Sequence, residues 1–231
     1  MKRLVLALAA IAILGLTACG GNSSSGSGTA TGPLKLDDRV PNEADAPGSK
    51  PDPVEARQTA INVREFVEKM GDRFVNPTDQ EKQELLTSDF VQAIHDTRYF
   101  GDVHSKDDPH IFSLAVQFGS AASAKEMADF FHTDGLRPCP HSCATSVSEF
   151  DVSGIPGATG VRRLATEDAI KAAGTSEDRP YDSYAIFFSD GVFAYSIDLG
   201  GPPGTTSEDK AKEIAGNLYD RVHGAAIAGS T

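Results

Sequence analysis

A chain of 231 residues, 39% hydrophobic, with 21 basic against 33 acidic side chains and a formal charge of −12, has material for one core of ordinary size. That sign argues against nucleic acid and against lying flat on an anionic lipid surface, since both demand clustered Lys and Arg. Three cysteines make no disulfide scaffold, so the fold must rest on an apolar core.

The chain opens with Lys2-Arg3 and an almost uninterrupted apolar run from Leu4 to Leu16, followed by the small residues Thr17 and Ala18. The run is too short to span a bilayer comfortably, and its flanks describe a secretory signal over residues 1–18. Leu16-Thr17-Ala18-Cys19 resembles the lipobox of bacterial lipoproteins, a likeness confined to this leader. The resemblance implies cleavage before Cys19, diacylglycerol on its sulfur and a membrane-anchored protein on the extracytoplasmic face. With Cys19 assigned to the lipid, Cys139 and Cys143 remain in an oxidising compartment, where a disulfide is the default pairing. Closing so short a loop contributes about 2 kcal/mol in the chain-entropy model. It staples a loop and does not hold up a fold.

From Cys19 to about residue 52 the chain is rich in Gly, Ser and Thr, then in Pro and charge, with no apolar period; it reads as a disordered tether. Such a segment has a reach of about 30 Å. One globular domain is expected over residues 53–223. Ala60, Val63, Phe66, Val67, Met70 and Phe74 make a helical stripe that Asn76-Pro77 stops. Thr78 and Glu81 read as a capping box for a second helix carrying Leu85, Leu86, Phe90, Val91 and Ile94.

The period then changes. Phe112, Leu114, Val116 and Phe118 alternate as a strand, and Ser123 with Glu126 reads as the cap of a helix carrying Ala124, Met127, Ala128 and Phe131, ended by Gly135. Val147–Val152 and Val161–Leu164 read as strands around a Ser153–Gly157 turn, with a short helix over Thr166–Ala173. Tyr184–Phe188 and Val192–Leu199 flank Ser189-Asp190-Gly191 as a hairpin. Both alternating sets there are apolar, with Phe187 opposite Tyr184, Ile186 and Phe188, so this strand is either buried on both sides or presents a binding surface. A final helix carries Ala211, Ile214, Ala215, Leu218 and Val222, and residues 224–231 fray. The pattern predicts an α+β domain: an antiparallel sheet of about five strands, helices mainly on one face, two leading helices and a C-terminal one. This architecture is similar to Mog1/PsbP-like exported domains, with no motif that fixes a family.

Cys139-Pro140-His141-Ser142-Cys143 resembles the copper-binding and thiol-disulfide motif of Sco-type chaperones. In that family the motif lies between a strand and the helix after it, and a distant His completes the copper site. Here it follows a helix and precedes a strand, so the lowered thiol pKa of a helix N-terminus is not expected and a structural disulfide is preferred. The alternative keeps Cys139, His141 and Cys143 as copper or zinc ligands, with His104, His110 and His132 nearby in sequence. Acidic pairs at Asp107-Asp108, Glu167-Asp168, Glu177-Asp178 and Glu208-Asp209 lack calcium-loop spacing and suit solvation or helix N-termini. No nucleophile elbow, Ser-x-x-Lys, zinc-protease or phosphate-loop signature occurs. The expectation is therefore a non-catalytic, cofactor-free, extracytoplasmic lipoprotein. It meets the membrane through Cys19 and binds a protein or small molecule at the cell surface.

Overall fold

The computed structural model describes residues 34–53, 57–74, 86, 89–101, 108–137, 145–166, 168 and 180–224. A 3-10 turn at Leu36–Arg39 is followed by β1 (Lys50–Pro51), β2 (Gln58–Ala60), α1 (Val63–Phe74), β3 (Phe90–Tyr99) and β4 (His110–Phe118). Then come α2 (Ala121–Gly135), β5 (Thr145–Asp151), β6 (Thr159–Ala165), β7 (Asp182–Asp190), β8 (Phe193–Gly201) and α3 (Glu208–Val222). The strands form one sheet of eight, against the five expected, in the order β1-β3-β4-β8-β7-β6-β5, with β2 also on the outer edge of β3. Every pairing among the described residues is antiparallel.

The strongest alternations are where the sequence places them. Along β8, Phe193, Tyr195, Ile197 and Leu199 face one side, with Ile186 and Phe188 of β7 beside them. Onto this face α3 lays Ala211, Ile214, Ala215, Leu218 and Val222, its helical stripe. The opposite face of the same strands carries Ala185, Phe187 and Ala194, covered by Met127, Ala128 and Phe131 of α2 and flanked by Phe66 of α1. Helices thus lie on both faces, not mainly on one. The double burial of β7 explains why both of its alternating sets are apolar. The hairpin turn is Gly191-Val192, between the paired Asp190 and Phe193, and Gly191 supplies the left-handed φ of 56° that this tight reversal needs.

Two further expectations are corrected. Phe90, Val91 and Ile94, read as part of a second leading helix, belong to β3. The strand is hard to see because Ala93 through Arg98 are buried on both faces, and four of those six are polar, so no apolar alternation survives. Of the rest of that expected helix only Leu86, buried, and Asp89 are described, both helical; the remainder lies outside the described residues, as do most of the Thr166–Ala173 helix and the tail beyond Gly224. The tether also ends sooner than expected: from Leu34 the chain packs on the domain, with Val40 and Ala46 in the core. Smaller shifts concern the caps. Ser120, not Ser123, caps α2, accepting from the Ser123 amide at 3.2 Å, and Ala60 lies in β2 ahead of α1.

Charge, not apolar period, fastens this N-terminal arm, and that is why composition reads it as loose. Arg221 of α3 donates to both Asp45 carboxylate oxygens, to the Val40 carbonyl at 3.0 Å and to the Asp38 carbonyl. Arg98 donates to Ser49 Oγ at 2.8 Å and to the Ser49 carbonyl at 3.1 Å. Arg39 donates to Tyr195 Oη at 3.2 Å and lies over the Phe193 ring at 4.3 Å.

Asp45 is only 2% exposed, so Arg221→Ala strands a buried carboxylate and frees two carbonyls. We expect a loss of about 3 kcal/mol in urea denaturation. Arg64→Ala, which breaks the exposed Arg64–Glu68 pair on α1, leaves stability unchanged within error.

Candidate functional site

Antiparallel register assembles one polar band on the α2 side of the sheet. Tyr99, His110, Gly200, Ser183 and Arg163 follow one another across β3, β4, β8, β7 and β6. The adjacent row on the same face is Thr97, Phe112, Asp198, Ala185 and Val161, and the next is His95, Leu114, Ser196, Phe187 and Thr159. The side chains become apolar where α2 covers them and polar where it stops.

The end of α2 is set by close packing. A Cβ on Gly135 would lie 3.0 Å from the Phe187 ring and 3.3 Å from Val161, so glycine lets the last turn settle on the sheet. Arg163 then donates from Nη2 to the Gly135 carbonyl at 2.6 Å and weakly to the Asp134 carbonyl at 3.4 Å. A cation satisfying terminal carbonyls also complements the helix dipole.

Past that point Tyr181, just ahead of β7, crosses the sheet. A Cβ on Gly200 would sit 1.9 Å from Tyr181 Oη, so only glycine leaves room for the ring. Through that gap Tyr181 hydrogen-bonds the His110 imidazole. The ring of His110 lies 5.2 Å from Tyr181, 5.7 Å from Tyr99 and 4.6 Å, edge on, from Phe112. His95 is buried behind them, stacked on Phe112 at 6.4 Å. Tyr99, His110, Phe112, Tyr181, Asp198 and Arg163 are all half-buried, forming the accessible part of the band.

Asp198 lies directly across the β4–β8 ladder from Phe112. Its Oδ1 is shielded from solvent and has no hydrogen-bond partner. Burial raises the Asp198 carboxyl above its ordinary range, an effect that Arg163 and a hydrogen bond from Ser183 partly offset. Burial, and then the charge of Asp198, raise the Tyr181 phenol as well, so it stays protonated. A tyrosine held in this way donates and accepts hydrogen bonds but is not activated as a nucleophile. The band is thus equipped to bind: half-buried rings, hydrogen-bonding groups and an incompletely satisfied carboxylate stand side by side on one sheet face.

Of the residues singled out in the sequence, Cys19, His104, Cys139, His141 and Cys143 lie outside the described residues. His110 falls within the band, engaged by Tyr181. His132 sits on α2 with Nε2 2.8 Å from Glu149 Oε1, a separate contact. Among the described residues no group of three His, Cys, Asp or Glu side chains is placed to hold a metal ion. Glu208 and Asp209 occupy the first turn of α3, as dipole complementarity predicts, and Glu208 pairs with Lys212 at 2.6 Å. Asp108 and Asp168 are the described members of two other acidic pairs; Glu177 and Asp178 lie outside the described residues. Phe188, Phe193 and Tyr195 of the hairpin are core. Asp198, Arg163 and His95 are not among the residues the sequence singles out, whereas Tyr181 is one of the aromatics around the hairpin that could present a binding surface. The available signal was in β8, where one alternating set is Phe193, Tyr195, Ile197 and Leu199 and the other turns polar at Ser196 and Asp198.

No family model and no curated protein matches this chain. Among solved structures it is similar to the extracellular domain of PknH from Mycobacterium tuberculosis, with TM-score 0.48 and 10% identity over 82% of this chain and 97% of that one. At that score and identity this is a likeness of general shape and bears on nothing further.

A raised carboxyl means that the folded state holds the Asp198 proton more tightly than the unfolded chain does. Its contribution to stability is full below the ordinary value of 3.8 and is lost as pH rises through the raised one. Asp198→Asn is therefore expected to raise the urea midpoint at neutral pH, with the two proteins converging on acidification. An Asn variant less stable at neutral pH would make Asp198 a structural residue.

Proposed function

We propose that this chain is a lipid-anchored extracytoplasmic binding module without catalytic activity, tethered to the cell membrane through Cys19. Its ligand is a small molecule seated on the polar band, against Tyr99, His110, Phe112, Tyr181 and Asp198. The observation that carries the reading is a shielded carboxylate oxygen with no partner beside half-buried aromatic rings. Folded proteins rarely leave such a group unsatisfied, and ligand sites combine apolar walls with a few convergent polar groups in this way. The anchor rests on Lys2-Arg3, the short apolar run and Leu16-Thr17-Ala18-Cys19. No helix among the described residues is long and apolar enough to cross a membrane. Cys139 and Cys143 complete the proposal as a loop disulfide.

Two measurements test it. Membrane fractionation with radiolabelled palmitate should find wild-type chain labelled and sedimenting and Cys19→Ser unlabelled; an unlabelled, soluble wild type would refute the anchor. A thermal-shift survey of small metabolites should yield a compound that raises the melting temperature of wild type but not of Tyr181→Ala. If every stabilising compound acts equally on both proteins, the band is not the site.

A further inference from the structure

Resting on that reading, we propose that the ligand is an organic cation, a primary or quaternary ammonium whose charge meets Asp198 and whose alkyl groups lie on the rings of Phe112 and Tyr181. The first argument is the carboxylate. Asp198 Oδ1 is excluded from water without a donor, and a buried charge left in that condition is costly. The cation that partly compensates it, Arg163, is committed through Nη2 to the carbonyls of Gly135 and Asp134, where it holds the end of α2. Arg163 thus offsets the charge from a distance, while Oδ1 itself remains shielded and without a hydrogen-bond donor.

The second argument is the walls. Phe112 pairs with Asp198 across the ladder, which sets the two Cβ atoms about 5 Å apart on the same face. Tyr181 lies over Gly200, two residues further along β8 and about 7 Å from Asp198 on that face. Aromatic rings that neighbour a carboxylate on one sheet face let a cation be attracted twice, through the ring quadrupole and through direct charge. An anionic ligand would meet repulsion from Asp198 and from a chain of net charge −12. A neutral polyol would leave the carboxylate uncompensated. A compact organic cation compensates the carboxylate, by N–H donation from a primary ammonium or by charge alone from a quaternary one, and covers the rings.

The test uses the full chain, purified in detergent, and two probes of nearly equal shape: choline, and its neutral carbon isostere in which a tert-butyl group replaces trimethylammonium. Calorimetric titration should give choline an advantage of about tenfold. Asp198→Asn should collapse that ratio towards unity. Phe112→Leu, which keeps apolar volume but removes the ring face, should weaken choline several-fold while the isostere changes little, and it serves if the Asn variant does not fold. Equal affinity for the two probes, or a ratio that survives in both variants, overturns the inference. If instead a neutral or anionic compound from the thermal-shift survey requires Tyr181, the cation assignment falls while the band remains the binding site. If no compound of any charge requires Tyr181, both fall.

Discussion

The ladder between β4 and β8 is the constraint on which the rest of this fold depends. Its register runs unbroken from His110 opposite Gly200 to Gln117 opposite Phe193. It joins strands β1 to β4 to strands β5 to β8, although α2 and three strands intervene along the chain. Because β4 and β8 are central and covered on both faces, the pairing creates the two cores together. A slip of one residue would send every side chain of β8 to the wrong face, placing Asp198 and Ser196 under α3 and Tyr195 under α2. The candidate site has the same origin, since its nearest opposed pairs, Phe112 with Asp198 and His110 with Gly200, are rungs of this ladder.

The two faces are built differently. Beneath α3 the packing is aromatic: Phe188 and Tyr195 stack at 4.6 Å, and Tyr219 meets Phe188 edge on at 6.0 Å. Such pairs add to the burial they provide and leave little room for function. On the α2 side Leu114 and Val116 of β4, Ala194 of β8 and Ala185 of β7 meet Met127 and Phe131 of α2, Phe131 lies 6.4 Å from Phe187, and glycine closes the approach at Gly135. There α2 stops short of the strand ends. What it leaves is a polar band kept at a cost to stability, with a raised carboxyl among its groups and a tyrosine admitted only because Gly200 has no side chain. A fold optimised for stability alone would fill that space with apolar groups.

Sequence patterns made legible whatever is held by period. The hairpin of β7 and β8, strand β4, helices α2 and α3 and the α+β class follow from alternation and from 3.6-residue stripes. Elements held by charge were not legible. Strand β3 buries His95, Asp96, Thr97 and Arg98, and the arm from Leu34 onwards is fastened by Arg221, Arg98 and Arg39, so the first reads as the end of a helix and the second as a tether. The site was hidden for another reason. Tyr181, Asp198, His110 and Arg163 are dispersed along the chain and meet through register, which no local motif encodes. The Cys139–Cys143 stretch is conspicuous in sequence because its chemistry is local, whereas Asp198 becomes a site residue only through the strands on either side of it.

The central claim, that the polar band on the α2 face receives a cationic ligand, is tested most directly by a crystal structure of the domain grown with choline. The account predicts one ordered molecule with its trimethylammonium against Asp198 and its methyl groups on Phe112 and Tyr181. Choline ordered elsewhere on the protein, with the band unchanged and Asp198 Oδ1 bonded to an internal donor, would contradict it.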